Sequence, residues 1–133
     1  MATKPRVHEF DVTVDAARVA HSSLGGSPFP REAAWWAEHL VLAGLVRCTL
    51  TSLRYHCVRA NVRLTATASA RGTVTRREDD GRFAFVDVVF EADVAFEPKP
   101  DETAVAELLA KGERDCFVGA SLTAKPSYTW RVR

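Results

Sequence analysis

The sequence predicts an α+β fold in which antiparallel sheets pack around one long central helix. Residues Ala33 to Cys57 contain no proline and a single glycine, and are dense in helix formers such as Leu40, Leu42, Leu45, Leu50 and Leu53. Two later segments, Asn61 to Arg77 and Arg82 to Phe96, alternate apolar and polar residues in the manner of strands. The order of elements, strands, long helix, hairpin, helix pair and final strand, is that of an α+β layout rather than of repeating β-α-β units. One domain spanning residues 1–133 is expected, because a chain of this length can bury roughly two thirds of its unfolded surface.

Val7 to Val14 opens the chain with near-alternation of Val7, Phe10, Val12 and Val14 against polar neighbours, the pattern of a half-buried strand. A turn at Asp15 to Ala17 leads to a second short strand, Arg18 to Ser22. Leu24 to Pro30, LGGSPFP, combines two glycines with two prolines and reads as loop. The helix that follows would run roughly 37 Å, more than a domain of this size can cover with its own elements. Its segment Leu40 to Val46 is apolar on all sides, which predicts burial all round, with a partner subunit supplying the missing cover.

The alternating segments pair as a hairpin across Glu78 to Gly81, EDDG, whose Asp-Gly is a hairpin signal. Pro98 and Pro100 end it. Asp101 caps a helix over Glu102 to Lys111 that turns Val105, Leu108 and Leu109 inward, with Gly112 as its stop. A short helix from near Cys116 ends before Pro126, and Tyr128 to Arg133 closes the chain as a strand.

A composition 26% charged and 47% apolar fits neither disorder nor a fibrous architecture. Eighteen basic residues against 17 acidic ones leave a formal charge of +1, without the excess that drives phosphate binding, so nucleic acid is not an expected partner. The N-terminal MATKPRVHEF has no signal-peptide run, and no stretch approaches the roughly 18 apolar residues of a membrane span. A cytoplasmic protein is therefore expected. In a reducing compartment its three cysteines serve packing, metal binding or redox chemistry rather than a disulfide scaffold.

Cys48 lies one turn after Gly44, and helix side chains lean toward the N-terminus, so its sulfur would hang over a missing side chain. That leaves room for a small substrate, while a small core residue packed on a neighbour is the plainer reading. Cys116 follows Asp115 at a helix start, where free N–H groups and the dipole favour a thiolate. Cys57 is nine residues beyond Cys48 and points to the other side of the helix, which assigns it to structure.

A thiol in apolar surroundings ionises less readily, so Cys48 needs a cation, and Arg18 at the first turn is the preferred one. Arg47 is closer in sequence but shares a polar, solvated stripe with Thr51 and Arg54. Glu38 reads either as a carboxylate favoured by the helix start or as a functional group. It is ten residues from Cys48, ~15 Å along the axis, so a joint site would need Glu38 from another chain. His56 and Cys57 are adjacent but lack metal-ligand spacing, and no phosphate cradle occurs.

The segment Trp36 to Cys48, WAEHLVLAGLVRC, with Leu24 to Gly26 upstream and Cys116 to Leu122, CFVGASL, downstream, resembles the OsmC-like proteins, which include the organic hydroperoxide resistance enzymes. In that family a Glu-X-Leu stands ten residues before the first cysteine, as Glu38 and Leu40 do before Cys48, and the second opens a Cys-Pro-Val-Ser segment. Here Phe117 and Gly119 replace its proline and serine, and Trp36 and Ala37 replace a common Asn-Pro pair.

The resemblance implies an OsmC-like fold as an intertwined homodimer and a two-cysteine peroxidase with no cofactor. Cys48 would be oxidised to a sulfenic acid by an organic hydroperoxide and resolved as a disulfide by Cys116. Arg18 and Glu38 would hold the thiolate and the peroxide oxygens, and a dithiol reductant, possibly of lipoyl type, would return the electrons. The competing reading is a stress-related binding module of the same fold that uses an apolar pocket near Gly44 and needs no reactive thiol.

Overall fold

In the computed structural model, which describes residues 5–133, the proline-free run forms one helix, α1, Ala37–Arg59. It starts later than the apolar pattern suggests. The Trp35 N–H donates to the Glu32 carbonyl at 3.0 Å, and the Trp35 ring meets Phe29 edge-on, which keeps the tryptophans outside the helix. The chain divides after Trp36 into two compact units.

In the first unit, strands β1, Val12–Val14, and β2, Ala20–Ser22, pair antiparallel, with Val12 opposite Ser22. Both are shorter than the sequence pattern suggests. The expected half-burial is also corrected, since Val7 and Phe10 are 77% and 76% exposed. A two-stranded ribbon of three-residue strands offers no inner face on which to bury them. Asp15 shapes the turn by accepting from the Ala17 and Val19 N–H groups at 3.0 Å each, and Arg18 takes a positive φ of 65° within it.

The second unit is built on a hairpin of β3, Arg63–Arg76, and β4, Phe83–Glu97, in register from Arg63 opposite Glu97 to Arg76 opposite Phe83, with a bulge at Thr73 and Val74. Gly81 supplies the positive φ of the turn, and Asp80 pairs with the Arg77 guanidinium and accepts from the Arg82 N–H. Strand β5, Ser127–Val132, adds to β4 in parallel, a pairing that the intervening helices make possible and that alternation alone does not reveal. Those helices are α2, Glu102–Arg114, and α3, Phe117–Ser121.

Asp101 caps α2 as expected, accepting from the Ala104 N–H at 2.8 Å. Gly112 does not stop it. A Cβ there would stand 3.1 Å from Leu53 Cβ, so this glycine is placed by the close approach of α1 and α2 rather than by a turn. Alternate residues of β4, Val88, Phe90, Ala92, Val94 and Phe96, are buried, and Leu53, Cys57, Leu64, Val105 and Leu108 complete the core with them. In the single chain Leu45 is fully buried, while Leu40 and Val41 are 42% and 37% exposed, the part of α1 for which cover from a partner subunit was expected. No helix among the described residues is long and apolar enough to cross a membrane.

Phe90 sits at the centre of this packing, fully buried with Tyr128 and Trp130 ring centroids 5.2 and 5.1 Å away. Phe90→Ala is expected to cost about 3–5 kcal/mol of unfolding free energy, read as a lower midpoint in urea denaturation at unchanged slope.

A candidate thiol site between helix α1 and the helix α2 to α3 junction

Cys48, Thr49, Ser52 and His56 follow one another at helical spacing along α1, and this stripe faces the junction of α2 and α3. Cys48 is half-buried and packs against the cluster of Leu45, Val88 and Cys116. Nothing stands within 4 Å of where a Gly44 Cβ would be. Cys116 is the N-cap residue of α3 and is fully buried. Its Sγ accepts from the Thr49 hydroxyl and the Gly119 N–H, each at 3.3 Å, and the Cys48 side chain interacts with it directly.

The expectation that a helix start makes Cys116 the more acidic thiol is corrected by its burial. Desolvation pushes the thiol up from its ordinary value, the Thr49 and Gly119 hydrogen bonds work against this, and the neighbouring Cys48 raises it further. A helix of five residues, α3 carries little dipole to oppose that cost. Cys57 is fully buried in the main core, where burial also raises its thiol and Arg54 partly compensates.

Of the four residues singled out in the sequence, the fold joins Cys48 and Cys116. Glu38 lies exposed in the first turn of α1, ~15 Å along the axis from Cys48. Arg18 belongs to the turn of the first unit, whereas the thiol cluster is made wholly by the second. Arg47, Thr51 and Arg54 are exposed as their spacing suggested. A cleft of about 580 Å³ is lined by Thr75, Arg77, Phe85 and Thr123 among others, and not by Gly44.

Sequence reasoning passed over three neighbours of the thiols. Thr49 follows Cys48 directly, Tyr128 lies in β5, and Asp115 precedes Cys116. Asp115 Oδ2 is 2.7 Å from His56 Nε2, and its carboxylate also takes the Arg114 guanidinium at 2.9 and 3.0 Å. The Arg114 hydrogen bond first, with His56 adding to it, holds Asp115 down to about 2 against the opposing desolvation. Polar residues at helical spacing beside two cysteines were the available signal, but only the fold pairs them. Ser52 Oγ is buried without a hydrogen-bond partner among the described residues, one turn beyond Cys48. Among those residues no group of three or more His, Cys, Asp or Glu side chains could hold a metal ion.

Compared with protein families, the chain matches the one described as OsmC-like protein over residues 31–131. Solved structures share its fold. An OsmC-like protein of Vibrio cholerae is 14% identical with a TM-score of 0.77, over 93% of this chain and 99% of that one. The organic hydroperoxide resistance protein OhrB of Bacillus subtilis is 16% identical with a TM-score of 0.62, over 94% and 96%. An organic hydroperoxide resistance protein of Elizabethkingia anophelis is 17% identical with a TM-score of 0.68, over 97% and 98%. None of the curated proteins matches the chain in sequence.

The Asp115 carboxyl is lowered in the folded protein, so its contribution to stability is fully present above the unfolded value of 3.8 and is lost as pH falls toward about 2. Asp115→Asn should therefore be less stable than the unaltered protein at neutral pH, with the difference shrinking across that acid window in denaturant titrations.

Proposed function

The chain belongs to the OsmC-like protein family, and on that premise we propose that it is a thiol peroxidase that reduces organic hydroperoxides through Cys48 and Cys116. One observation carries this reading: two thiols interact directly, and only one of them, Cys48, is open to a substrate, next to the gap at Gly44. Attack of the Cys48 thiolate on the outer peroxide oxygen forms an S–O bond, breaks the O–O bond and releases an alcohol. Cys116, already against Cys48, then resolves the sulfenic acid as a disulfide without solvent having to reach the inner sulfur.

Burial supports the division of labour. A fully buried thiol cannot meet a peroxide first, so the accessible Cys48 is the attacking residue and Cys116 the resolving one. The hydroperoxide resistance proteins among the fold relatives support the substrate class.

The functional unit in this reading is the whole chain as a single domain, 1–133, in a cytoplasmic homodimer. Leu40 and Val41, exposed near the start of α1, fit an interface between copies. In the dimer Glu38 of the partner subunit would approach Cys48, and Arg18 would supply the cation that favours the thiolate. A dithiol, possibly of lipoyl type, reduces the disulfide. The chemistry resides in sulfur and calls for no cofactor.

Stoichiometric tert-butyl hydroperoxide should convert the reduced protein to a Cys48–Cys116 disulfide, seen by peptide mass spectrometry. Cys48→Ser should reduce peroxide consumption to the uncatalysed background, and Cys116→Ser should leave a sulfenic acid that dimedone traps. Unchanged thiols in the treated protein, with consumption unaffected by either serine, would favour the binding module instead.

A further inference from the structure

Two elements bring hydrogen-bond donors to the Cys116 sulfur. Thr49 of α1 donates its hydroxyl hydrogen at 3.3 Å, and Gly119 of α3 donates its N–H at the same distance. Tyr128 of β5 lies near the same turn: a Cβ on Gly119 would stand 3.0 Å from the Tyr128 oxygen and 3.5 Å from Cys116 Sγ. Where the family has a serine after its second cysteine, this chain has a glycine, and a hydroxyl from β5 occupies the neighbourhood.

The tyrosine is not free to wander. Its ring packs on Phe90 and lies nearly parallel to Trp130, 3° apart in plane, while Trp130 Nε1 is tied to Glu113 Oε2 at 2.8 Å. Burial pushes the Tyr128 hydroxyl up from its ordinary value. A threonine hydroxyl has one hydrogen and two lone pairs. That hydrogen goes to the Cys116 sulfur.

We propose that Thr49 and Tyr128 are positioning residues for Cys116: Thr49 holds the sulfur as a hydrogen-bond acceptor, and Tyr128, lodged beside Gly119, braces the turn of α3 whose N–H donates to the same sulfur. This rests on the disulfide reading above and adds how a buried thiol is made able to resolve. In the resolving step the Cys116 thiolate attacks the sulfenic sulfur of Cys48, the S–S bond forms and the S–O bond breaks. Hydroxide leaves and takes up the proton that Cys116 gave up, so one water is released. The Cys48 sulfur is reduced and the Cys116 sulfur oxidised by the same electron pair, the hydroperoxide being the original oxidant. Two donors on the Cys116 sulfur favour its anionic form before attack and again when reduction expels it from the disulfide.

The test compares the unaltered protein with Thr49→Val, Thr49→Ser and Tyr128→Phe from about pH 6 to about pH 9, across which thiols titrate. Stoichiometric tert-butyl hydroperoxide is added, and quenched samples are resolved by mass into thiol, dimedone-trapped sulfenic acid and Cys48–Cys116 disulfide. Thr49→Val should slow disulfide formation relative to sulfenic acid formation by about threefold to tenfold near neutral pH, and shift the rise of its pH profile upward. Thr49→Ser should restore both, and Tyr128→Phe should fall between. An unshifted profile in the valine variant, or a serine variant no better than valine, would overturn the proposal.

Equilibration of the same proteins in glutathione redox buffers reads the hydrogen bond without peroxide. The pH at which the disulfide equilibrium changes slope should move upward in Thr49→Val. If hydroperoxide yields no sulfenic acid yet that shift is seen, the peroxidase reading falls and the positioning role stands. If sulfenic acid forms normally and neither measurement moves in the valine variant, the positioning role falls and the peroxidase reading stands.

Discussion

The close seating of one face of α1 against β3 and α2 is the contact on which the second unit depends. Leu45, Thr49, Leu53 and Cys57 recur along that face at helical spacing and are all fully buried. Leu53 is pressed so near to α2 that a Cβ at 112 would stand 3.1 Å from its own. With α1 and α2 packed closely there, the α2 to α3 junction lies over the second half of the helix, where Cys116 meets Thr49 and Asp115 meets His56. A larger residue at 112 would disturb the thiol pair through the backbone, without touching either sulfur.

Within this apolar packing runs a polar seam. His56 meets Asp115 at one end, Thr49 meets Cys116 at the other, and the unpartnered Ser52 hydroxyl lies between them. Buried polar groups cost about 1–3 kcal/mol each when left unpaired, so a seam of this kind is tolerated only where most of its members are satisfied. Both ends are. Asp115 also anchors Arg114, so the residues just before Cys116 are held by two charged contacts as well as by the helix.

The two sulfurs illustrate how burial and local hydrogen bonding compete. A helix start would by itself favour ionised Cys116, but complete desolvation outweighs what one short helix and two hydrogen bonds return. Such a thiol is shielded from solvent, which fits the resolving role proposed for it. Cys57 shows the inert limit of the same effect, buried in the main core with no polar donor supplied by the fold.

Periodicity alone settled the long helix, the hairpin with its Asp-Gly turn, the Asp101 cap and the final strand, because each is encoded by residues near one another in the chain. The solvated stripe of Arg47, Thr51 and Arg54 was legible for the same reason. The spacing of Glu38, Leu40, Cys48 and Cys116 was enough to suggest the family. The parallel pairing of β5 with β4, the continuation of α2 through Gly112, the burial of Cys116 and the Thr49 and Tyr128 hydroxyls around it were decided only by tertiary structure. They depend on contacts between residues as far apart as Thr49 and Cys116, and on desolvation, which a one-dimensional pattern does not contain.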